Sequence, residues 1–182
     1  KMARRQYETY DRRGPEIFVG EWAAYETPFE PWNAQSRGEP PTPNMQAAIG
    51  DAAFMTQMEK NSDVVVMNCY APMFVNVNPG ARQWRPNLIG YDGLRVYGSP
   101  SYHAIRMFST HIGDRILKAT PTGTDVLVSA TRDSRSGTIY IKLVNAADTE
   151  APVQLDITGV RTLASTGTTV TLAADPKATN SI

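Results

Sequence analysis

The residue of this sequence best placed to do chemistry is a glutamate at the end of a short apolar run. Glu21 follows Ile17-Phe18-Val19-Gly20 and precedes Trp22. The run is apolar throughout, as a strand buried in a parallel sheet would be, and Gly20 offers a place for the backbone to turn. A carboxylate there can act as nucleophile, base or acid. Cleaving a glycosidic bond calls for two such groups, one to protonate the leaving oxygen and one beneath the sugar. Aromatic residues gather just beyond, namely Trp22, Tyr25, Phe29 and Trp32, with Tyr70 and Trp84 further along, and flat rings suit the apolar faces of sugars. The plainer reading makes Glu21 a strand-end carboxylate in an ion pair and the rings loop core. Pattern alone leaves both open.

Other candidates carry less. Glu26 and Glu30 share the loop after Trp22, where acids are normally solvated. Asp51 and Glu59 fall on a helical stretch and read as surface charges. His103 and His111 lack the partner spacing of metal ligands, and core or surface roles are expected of them. Cys69 lies inside an apolar strand and reads as a small buried hydrophobe. No Ser-His-Asp order and no phosphate-cradling glycine loop is present.

The elements that would position these groups change character along the chain. Met2 to Asp11 reads as the tail of a helix stopped by Gly14-Pro15. Met45, Ala48, Ile49, Ala52, Met55 and Met58 recur at helical steps over 45–60, with Thr42 as a candidate cap and Pro43 in the first turn. Val64 to Tyr70 is a second apolar run, and Ser99-Pro100 opens another helix. The order α-β-α-β-α implies parallel strands crossed by helices. Two strands cannot complete such a sheet, so the chain reads as a piece of something longer. After residue 117 the period becomes two. Asp125–Thr131 and Thr138–Asn145 alternate around a turn at 133–137, and Val153–Thr158 and Thr168–Ala173 supply two more short runs, the pattern of an antiparallel sandwich. Two Pro-rich connections, 22–42 and 71–98, each follow a parallel strand, the side on which α/β folds build sites.

Composition bounds the partners. The 182 residues hold 18 Lys+Arg and 18 Asp+Glu, a formal net charge of zero. A nucleic-acid binder would show a basic surplus or stripe. One cysteine excludes an internal disulfide, and with two histidines it leaves little for a metal cage. No run of about 18 apolar residues points to a membrane span.

Several motifs in order resemble one family. They are Phe18-Val19-Gly20-Glu21-Trp22-Ala23, Gly50-Asp51-Ala52-Ala53-Phe54-Met55, Glu59-Lys60-Asn61-Ser62-Asp63 and Tyr70-Ala71-Pro72-Met73-Phe74-Val75-Asn76. Arg82-Gln83-Trp84-Arg85-Pro86 and Tyr97-Gly98-Ser99-Pro100-Ser101-Tyr102 continue the series. This series resembles the α-L-arabinofuranosidases of glycoside hydrolase family 51, closely over 1–117 and more loosely beyond. The resemblance implies α/β plus all-β architecture: the end of a (β/α)8 TIM barrel over 1–117, then an antiparallel, jelly-roll-like β-sandwich over 118–182, both incomplete in this chain. Residues 17–21 would be the seventh strand, 45–60 the seventh helix, 64–70 the eighth strand and 100–112 the eighth helix. Glu21 would be the nucleophile of a retaining, exo-acting enzyme, with Trp22 beside it and Tyr70 near the sugar. Arabinan, arabinoxylan or their oligosaccharides would be the partners, with no nucleic acid, no membrane and no metal or organic cofactor. Homo-oligomers are also known in the family.

The chain departs from the family in two places. It has no Asn-Glu pair to serve as acid/base, and Ala23 stands where an Asn follows the Trp in family members with Glu-Trp-Asn. The chain alone is therefore expected to be inactive. The competing reading is a non-catalytic carbohydrate-binding or structural β-sandwich module, for which Tyr140, the sole aromatic of the β-region, offers little platform. A relative that cleaves a different pentose is a third reading. Secretion or a periplasmic location is favoured over the cytoplasm.

Overall fold

A computed structural model describes residues 7–25, 40–81 and 84–182. Its frame is a pair of parallel strands, β1 (Ile17–Trp22) and β2 (Val65–Tyr70), joined through helix α1 (Met45–Lys60). The apolar runs at 17–19 and 64–67 thus pair as their composition anticipates. The expected helix tail at Met2–Asp11 falls partly outside the described residues. Its described part is a turn, with the Tyr10 amide donating to the Tyr7 carbonyl over 3.3 Å.

Helix α1 is capped by Asn44, not Thr42. Asn44 is extended at φ −89° and ψ −176°, and its side chain accepts from the Ala47 amide. Thr42 is fully buried, with its hydroxyl 3.4 Å from that of Tyr97. The first two α1 amides find acceptors far along the chain: Met45 donates to the Ala178 carbonyl and Gln46 to that of Pro176, each over 2.9 Å. Orphan first-turn donors are satisfied in this way by a distant turn.

Helix α1 is buried on more than one side, which overturns the reading of Asp51 and Glu59 as surface charges. The Asp51 side chain is fully buried. Glu59 pairs with Lys142 and accepts from the Ser129 hydroxyl, with only 8% of its side chain exposed. Tyr7, Trp22, Met45, Ala48, Met55, Met58, Val64, Val65, Tyr70, Leu88 and Ala104 form the core around it. Helix α2 (Pro100–Thr110) packs against α1 and is capped by Ser99, whose hydroxyl accepts from the Tyr102 amide.

The long connection after β2 is structured. Its three-residue strands β3 (Phe74–Asn76), β4 (Ile89–Tyr91) and β5 (Val96–Gly98) form a sheet in that order, parallel then antiparallel. Such strands are too short for alternation to be read. The Asp92-Gly93 turn was the available sign, and Asp92 accepts from the Leu94 and Arg95 amides.

The third sheet holds β6 (Arg115–Leu117), β7 (Leu127–Arg132) and β8 (Ile139–Val144), antiparallel throughout. The β7–β8 hairpin and its 133–137 turn match the sequence pattern. Entry into β6 depends on Gly113, where a Cβ would lie 2.1 Å from the Arg132 carbonyl carbon. The two further expected strands, Val153–Thr158 and Thr168–Ala173, are not formed. No strand among the described residues pairs with either, and Val153, Leu155 and Val170 remain exposed. Cys69 is exposed rather than buried. The reason is general to this pair: Phe18 (55%), Val66 (51%) and Met67 (54%) are exposed too, because nothing among the described residues covers that apolar surface.

Two predictions follow from this packing. Lys142→Ala strands the Glu59 carboxylate without its cation and is expected to destabilise the fold by about 3 kcal/mol. Replacing both partners with apolar residues of similar volume should cost much less. Urea unfolding midpoints of the two variants check this. In the hairpin turn, hydrogen bonds from the Arg135 and Ser136 amides hold the Asp133 carboxyl below its ordinary value, and the Ser134 hydroxyl and amide do the same for Asp114. A depressed folded value means that the order these groups lend is complete above about pH 4 and lost as pH falls further. Amide shifts of Ser134 to Ser136, followed into acid, should report that loss.

Candidate active site

Glu21 owes its position to a mismatch between two strands. Val19 stands opposite Asn68 and Trp22 opposite Tyr70, so β1 takes three steps where β2 takes two. The surplus falls at Gly20–Glu21, a bulge of the kind that re-aims a side chain beside active sites. Gly20 is not there for an unusual backbone angle: its φ is not positive, and a Cβ would only touch the Phe18 ring at 4.0 Å. Length, not glycine flexibility, makes the turn. Because the strands are parallel, Glu21 and Tyr70 leave the sheet at the same edge.

Beneath that edge lies an aromatic floor. Trp22 is 5% exposed and Tyr70 7%, with ring centroids 5.3 Å apart and planes at 79°. Phe54 of α1 also meets Trp22, at 5.4 Å and 62°. Edge-to-face pairs of this kind add to area burial. The indole Nε1–H donates to Asn68 Oδ1 over 3.0 Å. The burial leaves Trp22 and Tyr70 little surface to offer a ligand.

Two fastenings hold the chain after the strands. The Ala24 amide donates to Asp51 Oδ1 over 2.6 Å, and the Ala71 amide to the Trp22 carbonyl over 3.1 Å. Asn87, 1% exposed, ties the two connections together. Its backbone amide donates to the Pro41 carbonyl over 3.2 Å, and its side-chain amide donates to the carbonyls of Pro41 and Trp84.

The Glu21 carboxylate itself is exposed and makes no hydrogen bond or ion pair among the described residues. The expected ion pair of the plainer reading is therefore not there. Family models give the context for this free acid: that of the α-L-arabinofuranosidase C-terminal domain matches residues 20–182. The chain belongs to that family. It is 34% identical over 159 residues to α-L-arabinofuranosidase 1 of Arabidopsis thaliana, covering 85% of this chain and 22% of that protein. To the probable α-L-arabinofuranosidase A of Aspergillus terreus it is 35% identical over 178 residues, 96% of this chain and 25% of the other. The arabinose-bound structure of the MgGH51 α-L-arabinofuranosidase superposes with a TM-score of 0.71 at 36% identity, over 80% of this chain and 23% of that one. The chain thus spans about a quarter of the length of these family members.

Within this arabinofuranosidase domain the remaining candidates scatter. Glu26, Glu30, Phe29 and Trp32 lie outside the described residues. His103 meets Tyr102 edge-on at 5.3 Å, and His111 Nδ1 lies 3.0 Å from the Met107 carbonyl. Among the described residues no three His, Cys, Asp or Glu side chains gather as metal ligands would. Sequence reasoning passed over Asn68 and Asn87. Asn68 had a visible sign, being the one amide inside an apolar strand.

Since length rather than glycine makes the bulge, Gly20→Ala is expected to change stability by no more than about 0.5 kcal/mol. Trp22→Ala, which empties the floor, should cost about 3–5 kcal/mol. Thermal unfolding of the two variants compares them directly.

Proposed function

We propose that these residues form the nucleophile-bearing end of a retaining, exo-acting α-L-arabinofuranosidase. The observation that carries the reading is the free Glu21 carboxylate, held on a bulge at the carboxyl edge of a parallel pair in a chain of this family. Glu21 attacks the anomeric carbon of a terminal α-L-arabinofuranosyl unit while a second carboxylic acid protonates the departing oxygen. A glycosyl ester to Glu21 results. The second group, now a carboxylate, takes a proton from water, which opens the ester and returns Glu21, with the α configuration retained. The two carboxyls would lie about 5–5.5 Å apart. The second belongs to a part of the polypeptide beyond these residues, and the reaction calls for no metal or organic cofactor.

The same reading assigns β1 and β2 as the seventh and eighth strands of a (β/α)8 barrel over 1–117. The exposed Phe18, Val66 and Met67 support it, since the layers on the two faces of a barrel sheet would cover them. Residues 118–182 belong to a β-sandwich that β7 and β8 start to build, with β6, the last three residues of the preceding part, as their neighbour in the sheet. Trp22 and Tyr70 form the floor beneath the sugar. The substrates are arabinan, arabinoxylan or their oligosaccharides. Secretion accords with a Streptomyces chartreusis relative, an extracellular exo-α-L-arabinofuranosidase, 34% identical over 119 residues that make up 65% of this chain and 12% of that protein. Assembly into a homo-oligomer is part of the same proposal.

The test uses a polypeptide that carries both carboxyls. Glu21→Ala should abolish release from an aryl α-L-arabinofuranoside, and azide should restore it with a β-configured glycosyl azide as product. Unchanged activity would return Glu21 to a structural role. The 182-residue chain alone should show no hydrolysis.

A further inference from the structure

We propose that Asn68 is a positioning residue for Glu21 and acts through the Trp22 indole. The proposal rests on the glycosidase reading of Glu21. No side chain among the described residues holds the Glu21 carboxylate, so its place is set by the backbone that carries it. That backbone is the surplus of β1, and a bulged residue is left out of the ladder that fixes its neighbours.

Asn68 bridges this gap. It stands opposite Val19, just before the surplus, and its side-chain oxygen accepts from the indole of Trp22, just after it, over 3.0 Å. The bond therefore spans Gly20–Glu21 and limits how far the segment can bow. The other contacts of the ring, edge-on to Tyr70 at 5.3 Å and to Phe54 at 5.4 Å, are compatible with a range of ring offsets. A hydrogen bond weakens steeply off line, so Asn68 selects one setting of the indole and with it one path for the chain at Glu21. A nucleophile has to stand about 3–3.5 Å from the atom it attacks, and an error of about 1 Å can cost about 100-fold.

The test again uses a polypeptide with both carboxyls. Asn68→Ala should lower kcat on an aryl α-L-arabinofuranoside about 10- to 100-fold, with KM little changed. Asn68→Asp keeps the acceptor and should restore most of the rate. Asn68→Leu, of similar size without an acceptor, should behave as alanine does and serves if the alanine variant fails to fold. In a Trp22→Phe background, Asn68→Ala should cost less than about twofold, because the group it acts through is gone. Full activity of Asn68→Ala, failure of Asn68→Asp to restore it, or an equal loss in both backgrounds overturns the role of Asn68. Glu21→Ala runs alongside. Activity that survives Glu21→Ala removes the underlying reading, whereas its loss beside a fully active Asn68→Ala removes only the positioning role.

Discussion

A carboxylate taken out of water must find donors or a cation, because the cost of burying it alone is larger than a fold can bear. Helix α1 carries two such groups, and they decide what attaches to it. Asp51 receives the Ala24 amide and so fixes where the chain goes on leaving β1. Glu59, two turns further, receives Lys142 and Ser129 and so fixes how the antiparallel sheet meets the helix. Lys142 also lies 5.0 Å from the Phe108 ring centroid of α2. One ammonium thereby joins both helices to the sheet. Buried pairs of this kind add little net stability, but they penalise every arrangement that separates the partners. Their work here is to choose an orientation.

The site inherits that choice. With β1 held at its exit by Asp51, by the Ala71 amide and by the buried Trp22, the extra step stays at Gly20–Glu21, and an opposite shift between Ile17 and Phe18 returns the two strands to equal length. The result is an exposed acid on a supported backbone. A side chain that must form and break a covalent bond gains from this division of labour. An ion pair on Glu21 would compete with the anomeric carbon for the same oxygen lone pairs, whereas support from below leaves them free.

How much of this was legible depended on the length of each pattern. The runs at 17–19 and 64–67, the six apolar positions of α1 and the alternation on either side of 133–137 are long enough to declare period and type, and each became the element it suggested. Ser99-Pro100 opened α2 because capping chemistry is local. Thr42 failed for the converse reason: a hydroxyl caps only from the residue at the helix edge, and burial against Tyr97 placed Asn44 there instead. The strands of 74–98 escaped notice because three residues carry no period. Val153–Thr158 and Thr168–Ala173 show the opposite failure, since alternation declares a preference for pairing and cannot supply the partner strand. Asp51 and Glu59 were misread because a helix covered on several sides has no solvated face to which charges default. Whether a helical carboxylate is buried depends on residues 27 positions before it, at Ala24, or 83 after it, at Lys142, and no local window contains them.

Glu21 belongs to both kinds of evidence. Its strand-end position is a local fact, and its motif places it in a recognisable series. That it is free is not local, because an ion pair for Glu21 could have come from any of 18 basic residues in the chain. Nor is the bulge, which exists only as a local difference in step between two strands more than 40 residues apart, offset by the opposite shift between Ile17 and Phe18. A one-residue surplus leaves no mark on either strand read alone. It becomes visible only when the register Val19 to Asn68 and Trp22 to Tyr70 is laid out. The same comparison gives Asn68 its meaning, since an amide that is merely unusual in an apolar strand becomes, across the gap, the side chain that measures it.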